Sequence, residues 1–148
     1  MNVTNAVFPM PGQLESFFDV DVDGPFVMLN LVKFRERAHY DDDPSIDISG
    51  REAYERYAAE MQVMLGDRGG RITFHGDVTG LLLGEVDELW DAVALAEYTS
   101  HAAFLEQMGS PERAAIERHR SAGLAGQLNI RISPDQSWSV ATNRHTSS

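Results

Sequence analysis

Residues 26–34 read FVMLNLVKF, a run in which seven of nine side chains are apolar. It is apolar enough for a buried strand, yet it contains Asn30 and Lys33. Side chains alternate along a strand, so two faces follow. One face carries Val27, Leu29, Leu31 and Lys33, and the other carries Phe26, Met28, Asn30, Val32 and Phe34. Both faces are largely apolar, so we expect the strand to be covered on both sides.

The remaining elements follow from hydrophobic spacing, caps and glycines. The pattern predicts a short helix over 11–20, a helix from the Ser49–Glu52 capping box to Gly66, a bent strand over 71–86 with glycines 76 and 80, a strand over 90–98, two helices capped by Ser100 and Ser110, and a strand over 124–132. The order β-α-β-β-α-β is typical of a ferredoxin-like α+β fold with an antiparallel four-stranded sheet. We predict one domain over 1–132 and a flexible tail over 133–148.

Composition excludes several classes of partner and chemistry. The 148 residues include 23 acidic and 12 basic side chains, a formal charge of −11 that repels nucleic acid and anionic membranes. There is no cysteine, so thiolate chemistry is excluded. No apolar run is long enough for a membrane span or a signal peptide, and we expect a cytoplasmic protein.

The two sheet faces suggest where a ligand binds. We expect Val27, Leu29 and Leu31, with Val93 and Leu95, to lie under the helices. The opposite face would then combine Phe26, Met28 and Asn30 with Trp90, three alanines and Tyr98, leaving room for a small molecule. The simplest cover for that face is a second copy of the chain, so we expect a homodimer.

Asn30 has two interpretations. Its amide can hold a carbonyl or a developing enolate oxygen, or it can be a structural side chain that is bonded to the backbone or across the dimer interface. Lys33, on the other face, is better explained by a solvent-exposed amine or a nearby carboxylate, although it stays among the candidate ligand contacts.

Several motifs carry a resemblance to a known family. The segments LNLVKF, SGREAYERY, GGRITFHGDVTGLLLGE, WDAVALAEY and HRSAGL, in that order between about Pro25 and Ile130, resemble family 1330 of the domains of unknown function. That family belongs to the dimeric α/β-barrel superfamily. The resemblance implies a ferredoxin-like protomer whose sheet pairs with that of a partner, and it implies little about the reaction.

Other residues could contribute to chemistry. His119, near the end of the last helix, is the candidate general acid or base, or else a histidine that caps that helix; Arg120 follows it within HRSAGL. Tyr54 and Tyr57 could put hydroxyls into the cavity or belong to the core stripe. His75 and Asp77 are too few for a convincing metal site, and we expect neither metal nor cofactor.

The leading hypothesis is a cofactor-independent enzyme that catalyses proton transfer, as an isomerase, cyclase or lyase, on an aromatic or polyketide-like small molecule. Asn30 would polarise a carbonyl, His119 would move the proton, Trp90 and Phe26 would form a wall, and residues 35–48 would act as a lid. One alternative is a dimeric module that binds a small hydrophobic metabolite without turnover. The resemblance adds a cofactor-free monooxygenase and, through Asn30, Trp90 and His119, a haem protein. A cavity filled by side chains is the remaining possibility.

Overall fold

The computed structural model describes residues 1–19 and 24–134. The predicted tail lies almost entirely outside them, and the domain boundary stays a prediction. The eight elements, in chain order, are α1 (Gln13–Phe18), β1 (Phe26–Phe34), α2 (Gly50–Asp67), β2 (Arg71–Asp77), β3 (Ala92–Tyr98), α3 (His101–Met108), α4 (Pro111–Gly123) and β4 (Leu124–Ile132).

Helices α2, α3 and α4 begin where their serine caps predict. The Ser49 hydroxyl accepts a hydrogen bond from the Glu52 amide at 3.0 Å and lies 3.2 Å from the Glu52 carboxylate. Ser100 and Ser110 cap α3 and α4 in the same way, because a serine oxygen satisfies an amide that the first turn leaves free. In the part of the chain described, no helix has both the length and the apolarity needed to cross a bilayer.

The sheet confirms the ferredoxin-like α+β fold. Its strand order is β4-β1-β3-β2, and every neighbouring pair is antiparallel. β1 lies at the centre, so Asn30 faces Ala94 on one side and Asn129 on the other. The most unusual residue of the opening run therefore occupies the middle of the sheet.

The second strand is shorter than predicted. β2 ends at Asp77, its register is irregular between Ile72 and Phe74, and β3 begins at Ala92. The Val78 amide donates to the Asp91 carbonyl at 2.9 Å, and the chain between these two residues forms a connection outside the sheet. The expected interruption at Gly76 was wrong, since that glycine still pairs with Val93.

The assignment of the two sheet faces was also wrong. The helices cover the side that carries Phe26, Met28 and Ala96, where these residues pack with Leu65 of α2 and Phe104 of α3. We call this side the cavity face. The other side, here the open face, carries the half-buried Val27, Leu29, Leu31, Val93 and Leu95 and the exposed Ile130 and Ile132. Alternation sorts side chains into two sets, but it does not say which set the helices cover.

Two glycines allow α2 and α4 to meet backbone to backbone. A Cβ atom on Gly123 would lie 2.5 Å from the Gly50 carbonyl oxygen and 2.9 Å from the Tyr54 amide nitrogen, and one on Gly50 would overlap the Arg35 carbonyl. No side chain fits at such distances. The first turn of α2 is therefore fixed against the end of α4.

Candidate functional site

A cavity of about 1020 Å³ lies between the cavity face and helices α2, α3 and α4. Its volume is at the upper end of the range for small-molecule sites. The residues that line it include Val7, Phe8, Met28, Asn30, Arg51, Tyr54, Tyr57, His75, Asp77, Ala92, Ala94, Ala96, Tyr98, Arg113, Glu117, Arg120 and Gln127.

Small side chains on β3 create this space. Ala92, Ala94 and Ala96 all point to the cavity face, where they pair with alternate residues of β1. Each of these three successive inward positions carries only a methyl group, so a space remains between the sheet and the helices. Larger aliphatic side chains would fill that space. The sequence therefore predicted the presence of room correctly, although it placed that room on the side away from the helices.

Asn30 is held by the structure around it. Its Nδ2 donates to the carbonyls of Met28, at 3.2 Å, and Ala94, at 3.3 Å. Its Oδ1 accepts from Nε2 of Gln127 at 3.1 Å. Both amide hydrogens are directed at backbone carbonyls, and this also fixes which way the amide points.

Gln127 continues a chain of buried polar groups. Its Oε1 accepts from the Arg120 guanidinium at 2.8 Å, and Arg120 also contacts the Glu117 carboxylate at 2.8 Å. The second oxygen of Glu117 lies 2.6 Å from Arg113. Arg113 and Arg120 are 6% and 9% exposed, so two buried cations share one carboxylate. This end of the cavity carries a net positive charge in a chain whose formal charge is −11.

Three tyrosines form a wall beside these arginines. Burial raises the pKa values of Tyr54, Tyr57 and Tyr98. The Arg113 guanidinium lies 5.0 Å from the centre of the Tyr57 ring. The phenols therefore keep their protons at neutral pH and remain hydrogen-bond donors.

The opposite end of the cavity is an exposed mouth. Arg51 forms an ion pair with Asp77 at 3.0 Å and stacks over the Phe34 ring, with 4.7 Å from guanidinium to ring centre. His75 lies beside this pair on β2. Within the described residues, no group of three metal-ligating side chains occurs. Arg51 and Asp77 balance each other, and the exposed Glu55 also lines the cavity, whereas the buried end has two arginines and one carboxylate.

The N-terminal residues 5–9 cross the cavity, and we call them the strap. The Ala6 amide donates to the Gln127 carbonyl at 3.2 Å, and the Val7 carbonyl accepts from Arg120 at 2.6 Å. The Asn5 side chain accepts from the Trp90 indole at 2.7 Å. Two of the three attachments end on residues of the buried polar chain.

The structure brings five of the predicted site residues together and separates four. Those that line the cavity are Asn30, Met28, Tyr54, Tyr57 and Arg120. Phe26 is 1% exposed and packs parallel to Tyr98 in the core, with 5.3 Å between ring centres. Trp90 precedes β3 and contacts the strap. Lys33 lies on the open face.

Lys33 is paired with acidic residues. Its amine lies 2.9 Å from Glu88 and 3.3 Å from Asp91, and the hydrogen bond to Glu88 is the main reason that its pKa is raised. It also donates to the Leu89 carbonyl. These contacts attach the 78–91 connection to β1.

His119 lies outside the cavity, on the other side of α4. Its Nδ1 is 2.6 Å from the Tyr40 hydroxyl. Burial, followed by the nearby cations Arg118 and Arg56, lowers its pKa. Consecutive helix residues point about 100° apart, so His119 and Arg120 face different compartments.

The 35–48 segment does not cover the cavity. Its Tyr40 is 2% exposed and packs with Ala53 and Ala122, against the outer sides of α2 and α4. The expectation that this segment forms a lid over the cavity was wrong, and the strap occupies that place instead.

Sequence reasoning missed Arg113, Glu117 and Gln127. A signal was present, because Arg113, Glu117 and Arg120 follow one another at spacings of four and three and so share one face of α4. A polar stripe on a helix is normally read as a solvated face, whereas here it is the buried one.

Fold and site together define a ferredoxin-like α+β protein with a polar cavity between sheet and helices. The chain is 34% identical to RPA0582, described as a protein of unknown function from Rhodopseudomonas palustris. The alignment covers 90% of this chain and 99% of that one, with a TM-score of 0.80. The methylated form of RPA0582 gives 34% identity, 90% and 98% coverage and a TM-score of 0.81. The chain belongs to the family of RPA0582.

Other solved structures are much less similar. SnoaB, a cofactor-independent oxygenase from Streptomyces nogalater, is 16% identical over 76% of this chain and 95% of its own, with a TM-score of 0.49. Likeness at this level carries no information about activity. No protein-family model and no curated protein matches the chain.

Proposed function

We propose that the protein binds a small molecule with an anionic or enolisable oxygen in its cavity and catalyses a proton transfer on it without a cofactor. The observation that carries the proposal is the pair of buried arginines, Arg113 and Arg120, which share the single carboxylate of Glu117. A buried site with excess positive charge favours a ligand that brings a negative one. The tyrosine wall suits a flat, aromatic or polyketide-like molecule.

The roles of the side chains follow from their contacts. Arg120 and the protonated phenol of Tyr57 would stabilise an enolate oxygen as it forms. Glu117 is the carboxylate closest to both arginines, and we assign it the transfer of the proton. Asn30 would act through Gln127 as a positioning residue, since both of its amide hydrogens already bond to backbone carbonyls.

A second candidate is binding without turnover. It is favoured by the position of His119, which contacts Tyr40 outside the cavity. From there, His119 does not reach a ligand in the cavity, as the expected acid or base would have to. The haem alternative loses support for the same reason, because His119 and Trp90 were its other two residues. A cofactor-free monooxygenase would use the same cavity and has no specific observation in its favour.

We also propose that the open face pairs with a second copy of the chain. It carries a continuous aliphatic surface, on which Leu29 lies between Leu95 and Ile130. Surfaces of this kind on one side of a sheet are usually covered. This arrangement agrees with membership of family 1330, which we likewise propose from the sequence motifs.

Matched aromatic probes test the binding site. Calorimetric titration should show that 2-naphthoate binds and that 2-naphthamide, which has the same shape without the charge, binds at least about tenfold more weakly. Arg120→Gln should abolish the preference for the acid. The control is Arg118→Gln, since Arg118 lies on the same helix and pairs with the exposed Asp42. Equal affinity for acid and amide would contradict the proposal.

Turnover is tested with phenylpyruvate, which has an aromatic ring, a carboxylate and an enolisable carbon. The enol converts to the keto form when a proton moves from oxygen to carbon, and the loss of enol absorbance follows this step. Wild-type protein should accelerate it, and Glu117→Gln should remove the acceleration while the probe still binds. Binding with no acceleration by the wild type would favour the module that binds without turnover.

A further inference from the structure

A second cavity, of about 650 Å³, lies on the other side of the strap. Its walls come from the strap, α1 and the edge of the sheet, and they are mainly apolar. Residues that line this cavity and not the first include Met10, Leu14 and Phe17. Among the described residues, Arg120 is its one charged wall residue.

The two cavities share part of their walls along the strap. Val7 and Phe8 of the strap line both, and so do Met28 and Arg120 on the protein side. The strap is attached through backbone atoms of Ala6 and Val7, so its side chains contribute to the walls. A molecule held at Arg120 can therefore extend in either direction from that residue.

The chemistry of the walls differs on the two sides of Arg120. The first cavity offers Arg113, Glu117 and the tyrosine hydroxyls beside its apolar surface. Within the described residues, the second has no charged side chain besides Arg120, and its aliphatic, thioether and aromatic walls are interrupted by uncharged polar residues such as Gln13 and Ser16. Apolar surface binds apolar groups at roughly 25 cal/mol for each Å² removed from water. A ligand that matches both halves has an anionic head and an apolar tail.

We infer that the second cavity is the tail subsite of the same ligand, and that the natural ligand is an amphipathic carboxylate whose chain passes beneath the strap. This inference rests on the proposed function, since Arg120 must hold the head. The carboxylate would lie at Arg120 and Arg113, and the alkyl or arylalkyl chain would extend past Val7 towards Leu14.

The test is a chain-length series of hexanoate, octanoate and decanoate, titrated into the full-length protein below the concentrations at which these acids aggregate. Burying each added methylene should increase affinity about threefold to fourfold. The alcohols of the same lengths measure what the chain contributes without the carboxylate, and they should bind more weakly at every length.

Two leucines provide a matched pair of variants. Leu14 is 51% exposed and lines the second cavity, whereas Leu105 is 50% exposed and lines neither. Leu14→Gln should weaken decanoate binding about fivefold and leave hexanoate unchanged, because only the longer chain reaches that wall. Leu105→Gln should change neither affinity.

The outcomes separate the two proposals. If affinity does not increase with chain length while 2-naphthoate still binds through Arg120, the tail subsite is wrong and the anion site stands. If Leu14→Gln and Leu105→Gln weaken decanoate equally, the chain binds elsewhere and the inference is overturned. If neither 2-naphthoate nor any of the alkanoates binds, the proposed function itself fails.

Discussion

The two faces of the central sheet differ in the size and polarity of their side chains, although these side chains belong to neighbouring residues of the same strands. On the cavity face, the middle of the sheet carries Asn30 and Ala94, and the helices stand away from them. On the open face, one residue along, Leu29 and Leu95 are paired. On the cavity face, the small side chain leaves empty volume and the amide provides a polar group of fixed orientation. On the open face, the aliphatic side chains form a surface suited to packing. The cavity therefore lies on the face whose strands carry the smaller side chains.

The largest effect is expected from replacing Arg120, one of the two buried arginines beside the cavity face. Arg120→Met would leave Gln127 and the Val7 carbonyl without their donor and would leave Glu117 with one partner. Losing one member of a buried charged network costs about 3–5 kcal/mol. Urea unfolding should show a loss of that size in the free energy of unfolding.

Arg118→Met is the control for this loss. Arg118 pairs with Asp42 at the surface, and exposed ion pairs contribute about 0–1 kcal/mol. If the free energy of unfolding falls equally in the two variants, the buried contacts of Arg120 contribute no more to stability than the surface ion pair of Arg118.

The next largest effect concerns the open face. Leu29→Asp would place a carboxylate in the middle of the proposed dimer interface, twice in each symmetric pair. Burying an unpaired charge is unfavourable by several kcal/mol, so the dimer should dissociate at concentrations where the wild type stays paired. Sedimentation velocity measures this, with Val63→Asp on the exposed side of α2 as control. A wild-type monomer would refute the interface directly.

Asn30→Leu sharpens the comparison, since it makes the two faces alike at the centre of the sheet. The leucine would leave Gln127 without its acceptor and two carbonyls without their donor. We expect a loss of about 1–3 kcal/mol in the free energy of unfolding. Asn129→Leu, at the exposed cross-strand position, should cost no more than about 0.5 kcal/mol. Equal losses would mean that the hydrogen bonds of the Asn30 side chain contribute nothing to the free energy of unfolding.

The smallest effect is expected at His119, on the side of α4 that faces away from the cavity, and it tests whether that side is independent of the cavity. The pKa of His119 is below its ordinary value of 6.5 in the folded protein, so the unfolded chain takes up a proton more readily. Stability is therefore complete above pH 6.5 and falls as the pH decreases towards the folded-state pKa. Tyr40, Asp42, Arg118, Arg56 and Glu60 surround the ring.

His119→Gln should flatten this acid dependence of the free energy of unfolding and leave 2-naphthoate affinity unchanged. His39→Gln removes an exposed histidine that lines neither cavity and serves as control. A change in affinity with His119→Gln would show that the two sides of α4 are coupled.

Local structure could be predicted from the sequence, and the assembly of the site could not. Caps at Ser49, Ser100 and Ser110 are contacts within one turn, so their residues predict helix starts. The position of Asn30 beside three alanines follows from alternation. The side of the sheet on which the helices pack depends on long-range connections, and alternation is the same for either choice. His119 and Arg120 were considered together because they are adjacent, although a helix turns them towards different neighbours.

The contact between Gly50 and Gly123 has a consequence for how this family diverges. Either glycine is blocked by the backbone of the opposite segment, so a side chain at one position cannot be accommodated by a change at the other. These two positions should stay glycine together in relatives such as RPA0582. The side chains of Leu14 and Tyr54, which line the two cavities, are not blocked by backbone in this way. We therefore expect the cavity walls to vary among relatives while the crossing of the two helices remains fixed.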